Sequence, residues 1–404
     1  MALLSVLGTA GCGGFLSTAG PVEEDAIKPA APADDAANLD LGPGVRPLSL
    51  GPGDKGSPRI SPSGDRVAFV LDDYVVEKSL YAQDSMRRTA KGFSATDTDW
   101  LSERNLIVLG TSPGEDAGTQ TEETGSLFVV RPGDHPASGI LAEGVQATGA
   151  QADGSSVVAF AETPEAADGS MGTLVRIRAG GNAAQFFPVA LRGRVSGLSL
   201  SPNGREAAMA VRIESGEDAG RVELVTYRFS EGETRRVALL DEGLAAIGAP
   251  QITSRGIYFI AGEEGDEKAD YTLYKVPERS LEYETVRGVG EDFIPASIAV
   301  SPDGTSLAVL GRRSSRSPTD LYVLGLASDA LDAVTANENM EIKTKPGDLS
   351  WSPDGSYIVV VARGVLSGPK VYGSPAKDLS SAFYNVYGVP AGTAAQKADK
   401  GQSR

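Results

Sequence analysis

The feature that most constrains the fold is a four-residue phrase, S-P-x-G, that returns along the chain. It reads PRISPSGDRVAFVL from Pro58, LSLSPNGREAAMAV from Leu198, IAVSPDGTSLAVLG from Ile298 and LSWSPDGSYIVVVA from Leu349. Pro presets φ for the second position of a type I turn, a small polar residue suits the third, and Gly accepts the positive φ that closes a hairpin with a bulge. Asp303 and Asp354, inside two of the phrases, are therefore read as turn residues and not as ligands.

Anchoring on Ser61, Ser201, Ser301 and Ser352 gives gaps of 140, 100 and 51 residues, which suggest a unit near 50 with three degenerate copies between the clear ones. TDWLSERNLIVLG places Ser102 at one such anchor, TGAQADGSSVVAFAE places Ala152 at the next, and APQITSRGIYFIAG places Thr253 at the third. A second landmark follows each anchor, an alternating apolar run ended by Gly, Pro or charge. It reads KSLYAQD at Lys78, GSLFVVRPGD at Gly125, GTLVRIRAGG at Gly172, RVELVTYRFSEGE at Arg221, YTLYKVPER at Tyr271, TDLYVLGLAS at Thr319 and FYNVYGVPAG at Phe383.

With the strand before the anchor and a short run after the landmark, each unit holds four strands. Units of that size cannot bury two sheet faces alone, and radial stacking protects the edges that an open array leaves exposed. The last unit runs into the polar tail AGTAAQKADKGQSR without an outer strand, whereas VRPLSLG, Val45 to Gly51, stands where such a strand is needed. The expectation is an all-β, seven-bladed β-propeller of four-stranded antiparallel blades over residues 45–390, closed by an N-terminal strand that joins the last blade, with residues 391–404 as a disordered tail.

Composition narrows the function classes. A formal net charge of -17 with no basic cluster to reverse it repels a phosphate backbone, so nucleic acid is not an expected partner. One His and one Cys exclude a disulfide framework and any multi-His or thiolate metal site. Near the start, MALLSVLGTAGCGG places a short apolar run and small residues before Cys12. It resembles a bacterial lipoprotein signal over residues 1–12, with Cys12 as the lipidated residue, although Thr9 stands where Leu is usual and no basic residue precedes the run. A start codon set too far downstream accounts for that departure. Residues 13–44, rich in Ala, Pro, Gly and Asp, have too few apolar anchors to order and read as a tether of roughly 30 Å. The localisation expected is extracytoplasmic, with contact to the membrane only through the lipid anchor.

The pattern S-P-D-G, then an apolar run, then L-Y-V, as in SPDGTSLAVLG and TDLYVLGL, resembles the TolB-type, WD-like propeller repeat of bacterial envelope proteins. The resemblance covers about Val45 to Pro390. It implies a protein-binding propeller outside the cytoplasm, and it carries over no binding residue. With no catalytic constellation in the chain, the expectation is a monomeric, non-catalytic binding or scaffold propeller that recognises a protein, peptide or other cell-envelope partner. The repeat also occurs as a gating domain in serine peptidases, which are set aside because no α/β-hydrolase domain follows. TolB itself has an added N-terminal α/β domain and fewer blades.

No catalytic residue, cofactor or metal ligand is assigned. GTSPG around Ser112 matches G-x-S-x-G in form, but Pro113 and a polar stretch replace the helix that motif requires. SPAK, Ser374 to Lys377, matches S-x-x-K without the companion motifs. His135 stands in a turn between Pro132 and Pro136. ATDTDW, with Asp97 and Asp99, and AGEEGDEKAD from Ala261 offer hard oxygen ligands without a calcium-loop spacing, and read as solvated charge on loops. KTKPGD near Lys343 and GRRSSRSPTD near Gly311 read as solvated basic strands and a loop. The alternative kept open is a propeller enzyme of the lactonase or quinone- and calcium-dependent dehydrogenase type, with its site in the channel mouth.

Overall fold

The computed structural model describes residues 45–392, save 82–84, 90–91, 112–124, 132–137, 151–154, 163–170, 180–183, 264–270, 291, 338–339, 346 and 365–382. Cys12, Ser112, His135, Ala152 and the SPAK stretch lie outside the described residues. Within them the protein is a β-propeller, built of antiparallel strands with one 3-10 turn at Arg287–Val289.

The phrase that opened the sequence reading closes the same hairpin each time. Ser301 N donates to Ser306 O at 2.9 Å and Gly304 N to Ser301 O at 2.9 Å, with Gly304 at φ 69°. Ser61, Ser201 and Ser352 repeat the pattern with Gly64, Gly204 and Gly355. The Ser hydroxyl adds a second lock: Ser301 Oγ donates to Asp303 Oδ1 at 2.6 Å and accepts from Ser306 N at 3.0 Å. Ser352 does the same with Asp354 and Tyr357. These bonds fix the reading of Asp303 and Asp354 as turn residues.

Four meanders of four strands run in chain order, beginning at Lys55–Ile60, Gly193–Leu200, Leu244–Thr253 and Ile294–Val300. A seven-stranded sheet spans Ser94–Trp100 to Gln185–Ala190, and a five-stranded sheet gathers the C-terminal strands. The hydrogen-bonded sheets therefore number six, where the repeat predicts seven separate blades. The difference lies in strand Ser138–Ala150, whose first part pairs with Gly125–Val130 and whose second pairs with Ser156–Glu162, Val145 facing both Gly125 and Ala161. The last strand of one repeat runs into the first strand of the next without a break.

One landmark is displaced from its expected place. Strand Tyr74–Ser79 ends before the Leu80 and Tyr81 of KSLYAQD, because Asp72 at φ 51° and Asp73 make a two-residue hairpin in which Leu71 pairs with Tyr74. A two-residue connection brings the next strand in earlier than the longer loops elsewhere.

Closure follows the sequence reading. Arg46–Ser49 pairs antiparallel with Asn385–Pro390, Arg46 opposite Gly388, and adds the missing strand to the last sheet. Seven apolar clusters fill the spaces between successive sheets and repeats. One of them joins Leu48, Val359 and Val386 to Ile60, Val67 and Phe69, so the core is continuous across the seam. The second strand of each hairpin carries most of it: Tyr357–Arg363 and Ser306–Arg312 both have five consecutive buried residues, as strands covered on both faces must. Each large side chain so buried contributes about 2–3 kcal/mol of transfer free energy.

Candidate functional site

The first strand of each repeat lines a central channel, and there the regular ladder breaks. Pairing shifts between Gly56 and Arg59, Ala95 and Asp97, Val195 and Gly197, Ile247 and Gln251, and Pro295 and Ser297. A bulge adds residues that the partner strand cannot pair, and re-aims the side chains beyond it. The added residues Ser57, Thr96, Ser196, Gly248 and Ala296 all border a cavity of about 840 Å³. In the C-terminal sheet the break is larger. Glu341–Ile342 and Leu349–Trp351 both pair with Tyr357–Arg363; Lys343 N still donates to Val361 O at 2.8 Å, and Lys345 and Asp348 stand between the two paired stretches.

These excursions bring charge together on one side of the channel. Arg59 Nε donates to Asp99 Oδ2 at 3.2 Å, its second terminal nitrogen lies 3.7 Å from Asp97 Oδ1, and its first donates to the carbonyls of Gly347 at 2.6 Å and Pro58 at 3.0 Å. Asp97 and Asp99 stand two apart on strand Ser94–Trp100 and so share a face, while Thr98 and Trp100 between and beyond them are buried. This corrects the reading of ATDTDW as a loop: the bulge at Thr96 interrupts the alternation that marks a strand. Trp100 Nε1 donates to Arg59 O at 2.9 Å and fixes the backbone from which the guanidinium projects.

The pair is only partly wet, with the Arg59 and Asp99 side chains 17% and 23% exposed. Removal from water pushes the Asp99 carboxyl up to about 6 against the pull of Arg59, and the Asp97 charge adds to the rise. Opposing the desolvation that burial imposes, Asp99 and Asp97 hold the Arg59 pKa above its ordinary value. Nearby, Asp348 accepts from Ser57 N at 2.8 Å and lies 3.7 Å from Lys343 Nζ, with burial raising its pKa. Lys343 also donates to Lys55 O at 3.3 Å, so it ties the last repeat to the first and is not a fully solvated side chain.

Apart from Lys345, the rest of the described wall is neutral. Val195 N donates to Gln146 Oε1 at 3.0 Å, Ser199 Oγ to Pro250 O, and Val300 N to Gln251 Oε1 at 3.2 Å. Trp351 Nε1 donates to Ala299 O at 2.9 Å, Ser350 Oγ to Pro58 O at 2.7 Å, and Thr148 Oγ1 to Asp97 Oδ2 at 3.1 Å. With the Arg59–Asp99 contact, these bonds link every channel-lining strand to the next around the ring.

A carboxyl with a pKa near neutrality, set against a fixed cation in a polar cavity, is a candidate general acid or base. Sequence reading noticed Asp97 and Asp99 but passed over Arg59, whose partners stand about 40 residues downstream. Among the described residues no three His, Cys, Asp or Glu side chains gather to hold a metal ion.

The architecture defines a β-propeller with a polar central channel. Comparison with known proteins agrees. The chain is similar to an oligogalacturonate lyase from Vibrio parahaemolyticus, with TM-score 0.50 and 12% identity over 86% of this chain and 93% of that one. It is also similar to a puromycin-hydrolyzing peptidase from Mycobacterium tuberculosis, with TM-score 0.52 and 16% identity over 83% of this chain and 52% of that one. The chain thus spans about half the length of that peptidase. A putative TolB from Agrobacterium tumefaciens matches at TM-score 0.42 and 12% identity, over 77% of this chain and 93% of that one. No protein-family model and no curated protein sequence matches the chain.

What the comparisons show of the expected resemblance is the propeller fold. The expectation of a non-catalytic scaffold is corrected, because the solved structures that this chain is similar to include an oligogalacturonate lyase, a prolyl endopeptidase and puromycin-hydrolysing enzymes. Setting the chain down as a non-enzyme rested on missing familiar motifs. A cluster assembled from strands of different repeats leaves no such motif.

Proposed function

We propose that the protein is a propeller enzyme whose active site is the charged side of the central channel. Asp99 is the acid–base group, Arg59 holds it and balances developing negative charge, and the neutral wall accommodates the rest of the substrate. The reaction that suits this set is general-base attack of water on a small lactone or ester. Asp99 takes the proton from water as oxygen bonds to the carbonyl carbon, and returns it to the leaving alkoxide as the ring or ester bond breaks. One observation carries the reading: the Asp99–Arg59 pair sits in a cavity large enough for a small organic molecule, with its carboxyl tuned toward neutrality.

The test is a turnover screen of the full chain on lactones, esters, oligogalacturonate and peptide amides. Hydrolysis of a lactone or ester, with kcat/KM falling about 100-fold or more in Asp99→Asn, is the expected result. Turnover that Asp99→Asn leaves unchanged contradicts it, as does activity confined to oligogalacturonate or peptides.

We also infer from the sequence around Cys12 that the protein is a lipid-anchored extracytoplasmic protein. Cys12→Ala is expected to alter its partitioning between membrane and soluble fractions and to alter its apparent mass. Unchanged partitioning and mass would remove the anchor from the account.

A further inference from the structure

Among the described residues four that are not glycine adopt positive φ: Ser57, Asp72, Arg279 and Asp329. The last three stand in hairpin turns, where such a conformation is ordinary. Ser57 alone lies inside a strand, Lys55–Ile60, at φ 47° and directly before Pro58. Glycine takes that backbone without strain, and a residue with a Cβ holds it only where its surroundings impose it. They do so here. Asp348 accepts from Ser57 N at 2.8 Å, while Ser350 Oγ and Arg59 Nη1 donate to the Pro58 carbonyl at 2.7 and 3.0 Å.

What the strain secures is a hydroxyl at the channel. Ser57 borders the cavity, and its Oγ enters no hydrogen bond among the described residues. Gly347 faces it at φ 96°, and the place a Cβ would take there lies 3.4 Å from Ser57 Oγ, 3.8 Å from Arg59 Nη2 and 3.9 Å from Asp97 Oδ1. Three polar atoms thus converge on the space that the missing side chain leaves. Arg59 Nη2 and Asp97 Oδ1 are 3.7 Å apart, too far for a good hydrogen bond to each other. Asp97 Oδ1 accepts from Thr98 N at 2.9 Å and keeps a further lone pair.

The three differ in what they offer. A guanidinium only donates, a carboxylate only accepts, and a hydroxyl does both. A carbonyl oxygen or an anion in that space meets Asp97, and a cation meets Arg59. An uncharged hydroxyl satisfies all three. We propose that the channel ligand carries an alcohol hydroxyl that sits over Gly347, bound by Ser57, Arg59 and Asp97, and that Ser57 sets the preference for it. This rests on the active-site reading above and names its substrate class: an uncharged, hydroxylated lactone or ester, with its hydroxyl on the Asp97 side of Arg59 and its reacting carbonyl on the Asp99 side.

The test is the specificity of the full chain in matched pairs. The probes are 2-hydroxy- and 3-hydroxy-γ-butyrolactone against γ-butyrolactone, and methyl lactate against methyl propionate. In at least one pair the kcat/KM of the hydroxylated member is expected to exceed that of the plain one by about 100-fold or more. Ser57→Ala is expected to cut that ratio by about tenfold or more. Ser57→Gly is expected to cut it equally and to raise the urea midpoint, because glycine takes φ 47° freely. A ratio near one in every pair, a ratio that survives Ser57→Ala, a lower urea midpoint in Ser57→Gly, or no turnover of any probe would overturn the proposal. So would a Ser57→Ala variant that slows both members of a pair alike, the mark of a water and not a ligand hydroxyl over Gly347. A preference that depends on Ser57, in an enzyme whose rate Asp99→Asn leaves unchanged, would sustain the proposal and sink the acid–base reading. A ratio near one in every pair, in an enzyme that Asp99→Asn silences, would do the reverse.

Discussion

The channel wall is made from one kind of strand all the way round, yet its two arcs are joined differently. Where the strands Leu349–Trp351, Lys55–Ile60 and Ser94–Trp100 meet, the links include ion pairs and charged hydrogen bonds centred on Arg59. Along Gly193–Leu200, Leu244–Thr253 and Ile294–Val300 the same junctions are made by Gln146, Ser199 and Gln251 with main-chain groups. In the neutral arc the apolar clusters between repeats and one uncharged hydrogen bond at each of these junctions accompany closure without any ion pair there. The charge in the other arc exceeds what closure requires, and a carboxylate held partly out of water is costly to a fold that has no use for it.

The largest expected contrast in stability comes from cutting one link in each arc. Arg59→Ala leaves Asp97 and Asp99 facing each other without a cation and frees two carbonyls, and is expected to cost about 2–4 kcal/mol in urea unfolding. Gln251→Ala removes one acceptor from Val300 N and is expected to cost about 1 kcal/mol. Equal losses would mean that the arcs differ in name only.

A second contrast is in pH dependence. Asp99 has a folded pKa of about 6, above its unfolded value, so the folded state holds the proton more tightly. Its contribution to stability is therefore present at low pH and is lost as pH rises from about 4 to about 6, by up to roughly 2 kcal/mol. Asp97 and Arg59 are the charged groups that face it, and Asp99→Asn is expected to flatten that part of the curve. Asp303 works in the opposite direction. The Ser301 hydroxyl holds its carboxyl below the ordinary range, so its contribution is present above its unfolded pKa and is lost as pH falls through the folded one. Unfolding midpoints of Asp99→Asn and Asp303→Asn across pH 3 to 7 would separate the two.

The smallest effect belongs to the turns, which both arcs share. Gly304→Ala places a side chain at φ 69° with Pro202 Cγ 3.4 Å from the new methyl, and is expected to cost about 1 kcal/mol. Gly355→Ala, at φ 69° with Pro302 Cδ 3.9 Å away, should cost the same. A large difference between them would mean that the repeats are not equivalent where the sequence says they are.

The turns were legible in the sequence because their geometry is written in residue type: Pro for one φ and Gly for another. The degenerate anchors keep the same chemistry with other residues, Ser102 Oγ accepting from Asn105 N at 3.2 Å and Thr253 Oγ1 from Arg255 N at 3.0 Å. The closing strand at Arg46–Ser49 was legible by elimination, since the last repeat lacked a strand. The site was not. Asp97 and Asp99 stand on a strand whose period is broken by a bulge, and Arg59 reaches them from the preceding repeat. Lys343 reads as part of a basic stretch because nothing local shows that it lies 3.7 Å from the buried Asp348 and donates to Lys55 O. Pairing between repeats is set by the stacking of sheets, and no spacing along the chain encodes it.

The central claim is that the charged arc performs acid–base chemistry that the neutral arc does not. The measurement that reaches it most directly is the pH profile of kcat/KM for a substrate found by screening, in the unmodified protein, Asp99→Asn and Gln251→Ala. A rise with a midpoint near 6 that persists in Gln251→Ala and disappears in Asp99→Asn is the predicted result. A profile that Asp99→Asn leaves in place would show that the arc holds the ring together and does nothing more.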